Sequence, residues 1–171
     1  MNKIYLTLSV LLIGIFARAQ DLTLPLDSTT KKVSYSEVVN VSKTKNQLFD
    51  NTLEWFAVYF KSSNDVIQIK DKESGKFVAK FFIPNVNNIP PTSVSILIFL
   101  KENKYKYIFN DVIYVGGSGT KSWGLEENPT IWQAGLTKSG IKSIKSTANT
   151  SILNAIESLK NYLAKKDESN F

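Results

Sequence analysis

The sequence predicts one α+β domain: an antiparallel sheet of about five strands with two packed helices, in the order β-α-β-β-β-β-α. Three observations predict it. Two apolar stripes at i, i+4, i+7 and i+11 mark amphipathic helices, one on each side of the strand-rich middle. Five runs of alternating or β-branched and aromatic residues read as strands. Short gaps with turn residues join two pairs of those runs, so each pair closes as an antiparallel hairpin.

The chain opens with a leader. Lys3 precedes the apolar run Ile4 to Phe16, which closes on Ala17-Arg18-Ala19, the order of a basic n-region, a short h-region and a small-x-small cleavage site. Residues 1–19 are expected to be a signal peptide, with the mature chain starting at Gln20 and working in the periplasm or outside the cell. A bilayer span takes ~20 apolar residues, more than this run holds, so no integral span is expected after cleavage. The absence of cysteine excludes a lipid anchor and disulfides alike.

Residues 20–32 contain Pro25 and the polar run Asp27-Ser28-Thr29-Thr30, and read as a flexible lead-in. The domain is expected over residues 33–166, with a short tail at 167–171. Val33, Tyr35, Val39 and Val41 alternate with Ser34, Ser36 and Asn40, a strand pattern broken only by Glu37 on its apolar side and Val38 opposite. Thr44-x-x-Gln47 is a capping box, so a helix starts there. Phe49, Leu53, Phe56 and Phe60 form its apolar stripe, widened by Leu48, Trp55 and Tyr59, and its end is expected at Ser62-Ser63.

Asp65 to Lys70 and Lys76 to Ile83 flank Asp71-Lys72-Glu73-Ser74-Gly75, where Gly75 can supply a positive φ: the first hairpin. Pro84 ends it. Asn85 to Thr92, with Ile89-Pro90-Pro91, is a loop. Val94 to Leu100 and Tyr105 to Val115 form the second hairpin across Glu102-Asn103. In the last helix Ile152, Ile156, Leu159 and Leu163 face inward, and Lys160, Lys165 and Lys166 suit its negative C-terminal end. Gly116 to Lys145 has no clean pattern and is rich in glycine, so it is either functional or hides short elements, and its Trp123 and Trp132 either cover a site or pin the crossover to the core.

What the mature chain lacks narrows its chemistry. It has no His or Cys, and its only Arg, Arg18, leaves with the leader. Triads built on imidazole and the commonest metal ligands are thereby excluded, and no catalytic residue, metal or cofactor is assigned. Nineteen lysines against fifteen carboxylates leave a charge of +4, spread along the chain. Without the planar fork of arginine, specific nucleic-acid recognition is not expected.

Segment by segment, Tyr35 to Val41, Thr44 to Phe60 with Leu48-Phe49-Asp50-Asn51 and Trp55, and the Val66 to Lys80 hairpin with Asp71 and Gly75 resemble the exported bacterial domain-of-unknown-function family 4468, described as having a TBP-like fold. The resemblance covers about Val33 to Val115, and the final helix more loosely. It implies a layer of antiparallel sheet and helices and no known chemistry.

Gly116-Gly117-Ser118-Gly119-Thr120-Lys121-Ser122 fails as a phosphate loop, because Thr120 separates Gly119 from Lys121. The functional expectation is a non-enzymatic binding or interaction module of the cell envelope, taking an apolar ligand or an envelope protein. Trp123 and Trp132 are its candidate contacts, with Trp55 and Tyr59 of the first helix behind them. The alternative is a carboxylate-dependent hydrolase acting on carbohydrate, with Glu126 and Glu127 as its acidic pair.

Overall fold

Thr44 starts the first helix as its capping box requires. In the computed structural model, which describes residues 22–84 and 90–165, its hydroxyl accepts the Gln47 N–H at 3.2 Å and the Gln47 side chain accepts the Thr44 N–H at 2.9 Å. The expected signal peptide, residues 20 and 21, most of the Asn85 to Thr92 loop and the 167–171 tail lie outside the described residues. Helix α1 spans Lys45–Tyr59 and buries Leu48, Phe49, Thr52, Trp55 and Phe56. The strands are β1 (Tyr35–Asn40), β2 (Ile67–Asp71), β3 (Lys76–Ile83), β4 (Thr92–Lys101), β5 (Lys104–Tyr114) and the two-residue β6 (Trp123–Gly124). Single-turn helices α2 (Ser63–Val66) and α3 (Ile131–Ala134) precede β2 and the long helix α4 (Lys138–Ala164).

The sheet is antiparallel throughout, in the order β1-β5-β4-β3-β2. β1 pairs with the first half of β5, and β6 takes up the same edge beyond it, opposite Ile113 and Tyr114. Both expected hairpin turns form: Gly75 adopts φ +66 and Asn103 φ +60. Period-two alternation sends Phe77, Ala79, Phe81 and Ile83 of β3 to one face, with Val94, Ile96, Ile98 and Leu100 of β4 beside them. α1 and α4 cover that face. Phe49 meets Phe77 at 4.6 Å and Phe60 meets Phe81 at 5.3 Å between ring centroids, which docks α1 on β3.

Glu37, the break in the β1 alternation, is the residue that ties α4 to the sheet edge. Its carboxylate accepts the Tyr107 hydroxyl at 2.7 Å and the Lys160 ammonium at 2.9 Å. The Tyr107 bond first, and Lys160 second, hold the carboxyl below its ordinary range, while burial and the facing carboxylate push the Tyr107 hydroxyl up. Lys160 therefore serves this pair and not the helix C-terminus. Tyr35, pushed up to about 12 by burial, donates its hydroxyl to Asn149 at 2.7 Å and makes a second tie to α4.

Two segments carry local structure beyond the elements expected. In residues 22–32 the Asp27 carboxylate accepts the Thr29 and Thr30 N–H groups, Leu26 bridges Val33, and Leu24 packs on the core. An Asx turn needs no hydrophobic periodicity, so the pattern search passed over it. Residues 116–145 are not irregular throughout, because they contain β6, α3 and the first two turns of α4. Thr130-x-x-Gln133 is a second capping box, and Thr137 caps α4 through the Gly140 N–H at 3.1 Å.

Candidate functional site

The four aromatic residues singled out in the sequence do not share a surface. Trp55 is fully buried, and its indole N–H donates to the Ser158 hydroxyl of α4 at 3.2 Å. Tyr59 stacks on Trp55 at 5.4 Å with its edge exposed, and partial burial raises its hydroxyl. Trp123 is buried against Tyr114 at 5.2 Å, with the Lys145 ammonium 6.0 Å from its ring. Ser158 and Lys145 are roughly 20 Å apart along α4 at the helical rise, so the two buried indoles occupy separate parts of the core. Trp132 alone stands out into solvent, 87% exposed.

Glu126 and Glu127 are engaged by backbone. One oxygen of Glu126 accepts the Val33 N–H at 3.3 Å, and Glu127 accepts the Gly124 N–H at 2.9 Å. A Cβ at Gly124 would displace the Glu126 carboxylate from its place against the backbone. The pair clasps β6 and the start of the domain to one another. Among the described residues no group of three or more Asp, Glu, His or Cys is placed to hold a metal.

The sheet face opposite the helices carries a second set of apolar side chains, partly exposed. Cross-strand register lines up Ile69, Val78, Leu97 and Ile108 as one apolar row over β2, β3, β4 and β5, ending at Ser36 of β1. The next row holds Asp71, Lys76, Phe99, Lys106 and Val38. Lys101 and Lys104 follow it, and Lys80 lies on the other side of the apolar row, opposite Ser95. Phe82, Val38 and Ile69 are about half exposed.

An apolar stripe is thus bordered on both sides by lysines. The Asp71 carboxylate, the acidic member of these rows, turns into the β2–β3 hairpin to accept the Ser74 N–H at 3.0 Å, which lowers its carboxyl. The Lys76 ammonium lies 5.9 Å from the Phe99 ring centroid. At the β4–β5 turn, Val38, Phe99, Lys101, Lys104, Tyr105 and Lys106 line a groove of about 460 Å³. Sequence reading missed this surface. Its signal was the second face of β3 and β4, where Val78, Phe82, Leu97 and Phe99 are apolar although one face of the sheet already supplies a full core.

Residues 35–115 match the family model described as a domain of unknown function (DUF4468) with TBP-like fold. Among solved structures, the chain is similar to a DUF4468 family protein from Bacteroides ovatus, with 16% identity, a TM-score of 0.53, and coverage of 84% of this chain and 92% of that one. It is also similar to a TBP-like protein from Parabacteroides distasonis, with 16% identity, a TM-score of 0.52, and coverage of 80% of this chain and 97% of that one. Likeness at this identity speaks for the fold. No curated protein matches the chain.

Proposed function

We propose, from the match of residues 35–115 to the DUF4468 family model with its TBP-like fold, that this chain is an exported, non-enzymatic interaction module of the cell envelope. Its binding face is the open side of the sheet. The occupant is a segment of an envelope protein that presents apolar side chains together with carboxylates. The observation that carries this reading is the row Ile69-Val78-Leu97-Ile108 lying open between lysines, because a lone apolar row in water favours contact and the lysines select an acidic partner.

Size supports the reading. Five strands at about 4.8 Å spacing, crossed by strands of ~30 Å, give a face of roughly 600–700 Å², close to the ~800 Å² each partner contributes to a standard interface. The interior between sheet and helices supports surface contact over an enclosed ligand, since Trp55, Phe56, Phe77, Ile96, Ile98 and Leu159 fill it at zero exposure. Export is supported by the Lys3, Ile4 to Phe16 and Ala17-Arg18-Ala19 sequence of the leader.

The test is photo-crosslinking in the native cell, with a benzophenone amino acid at Leu97 and, as control, at Val58 on the outer side of α1. Position 97 should give an adduct with a protein whose crosslinked peptide is net acidic, on a chain beginning at Gln20. Equal adducts from position 58, or none from position 97, would refute the docking face. An adduct chain that retains Met1 would refute export.

A further inference from the structure

A second surface lies on the segment that sequence reading left without structure. Trp132 is 87% exposed and its neighbour Ile131 45%, two large apolar side chains adjacent on a helix of one turn. The turn is held rigidly. Thr130 and Gln133 close a capping box in both directions, Gly135 ends it at φ +63, and Ala134 is buried beneath it. A backbone braced in this way keeps the indole out in solvent instead of letting it fold back on the core.

The chain on the α4 side of this knob carries lysines and no carboxylate, while Glu126 faces Lys145 from the other side. No carboxylate occurs in the sequence between Glu127 and Glu157, and both Glu126 and Glu127 are taken up by backbone N–H groups. Lys138, Lys142 and Lys145 are spaced i, i+4, i+7 and so share one side of α4. Lys145 bonds the Glu127 carbonyl at 2.7 Å and the Asn128 side chain at 3.0 Å, which sets that side against the turn leading into α3. Lys121 adjoins α3 through its N–H to the Gln133 carbonyl. Tryptophan with an adjacent aliphatic chain, on a turn flanked in the chain by lysine-bearing segments, matches the boundary of an anionic bilayer, where the amphipathic ring sits at headgroup level and lysines meet lipid phosphates.

We propose that Trp132 and Ile131, with Lys121, Lys138 and Lys142, form a seat for an anionic lipid surface. The seat is separate from the open sheet face and does not depend on it. β5 runs about 30 Å from the groove at Lys104 to Tyr114, where β6 pairs and the chain turns toward α3. A molecule seated by Trp132 therefore holds the groove end of its sheet away from the bilayer, available to a protein partner. One apolar knob of two residues gives weak and reversible attachment, suited to an accessory contact.

Fluorescence tests this directly, because Trp132 is the one exposed tryptophan of the three in the chain. The mature protein is mixed with vesicles of phosphatidylcholine containing about one-third phosphatidylglycerol, and with vesicles of phosphatidylcholine alone. Anionic vesicles should blue-shift the emission and sediment the protein. Trp132→Ala should remove the shift and weaken sedimentation about tenfold with an unchanged circular dichroism spectrum. Lys121→Gln combined with Lys142→Gln should weaken sedimentation while keeping Trp132 in place. No shift with anionic vesicles, an equal response to neutral vesicles, or undiminished sedimentation of Trp132→Ala would overturn the seat. Trp132 bound only by a protein partner, with vesicles without effect, would overturn it as well.

Discussion

Replacing Trp55 asks whether the aromatic side of α1 is core or contact surface. The ring is fully buried, lies within 6 Å of Phe56, Tyr59 and Phe60, and donates to Ser158. Trp55→Ala removes the largest fully buried side chain among the described residues, and such truncations cost about 3–5 kcal/mol. The three ring contacts and the bond to α4 place it at the upper end, about 4–5 kcal/mol. That is a large part of the ~5–15 kcal/mol available to a domain, so Trp55→Phe is the measurable companion. It forfeits one hydrogen bond, about 1 kcal/mol. It also opens a void of roughly 40 Å³, about another 1 kcal/mol at ~24 cal/mol per Å³. A total near 2 kcal/mol lowers the melting temperature by about 4–8 °C, read by far-ultraviolet circular dichroism because the substitution alters fluorescence. Trp132→Ala should shift it by no more than about 1–2 °C. If Trp55→Ala cost less than ~1 kcal/mol, the packing of α1 between β3 and α4 would be wrong.

Two further outcomes follow from the geometry. The Glu37 carboxyl is depressed in the folded protein by Tyr107 and Lys160, so its contribution is present above the unfolded value near ~4.3 and disappears as pH falls through the lower folded value. Glu37→Gln should therefore be less stable than the parent in urea at pH 7, with the gap narrowing as pH falls below the unfolded value; a gap that does not narrow in acid would remove the clamp. Gly75→Ala puts a methyl 2.6 Å from the Leu100 carbonyl oxygen at φ +66, and should cost about 2–3 kcal/mol. Gly119, at φ +77 with nothing within 4 Å, should cost about 1 kcal/mol on the same substitution, and equal costs in thermal unfolding would refute the hairpin packing.

The order of long elements was legible because each carries its own local signal. Thr44 and Gln47 satisfy one another within four residues, Gly75 and Asn103 take positive φ inside their own turns, and the stripes of α1 and α4 need only helical spacing. The Thr130 and Gln133 box was equally legible, and was hidden only by the absence of an apolar run after it. Glu37 read as a defect in a strand, because its partners Tyr107 and Lys160 are distant in sequence.

By itself, the sequence determined the α+β class, both helices, both hairpins and the chemical limits of a chain with neither imidazole nor thiol, since all of these depend on neighbouring residues or on composition. Tertiary structure alone decided that β1 crosses to β5, that Trp55 and Trp123 enter the core while Trp132 stays outside, and that β3 and β4 keep a second apolar face open beside lysines. The physical reason is that burial is a property of what packs on a side chain. A tryptophan among glycines has the same local signature whether or not another element comes to cover it.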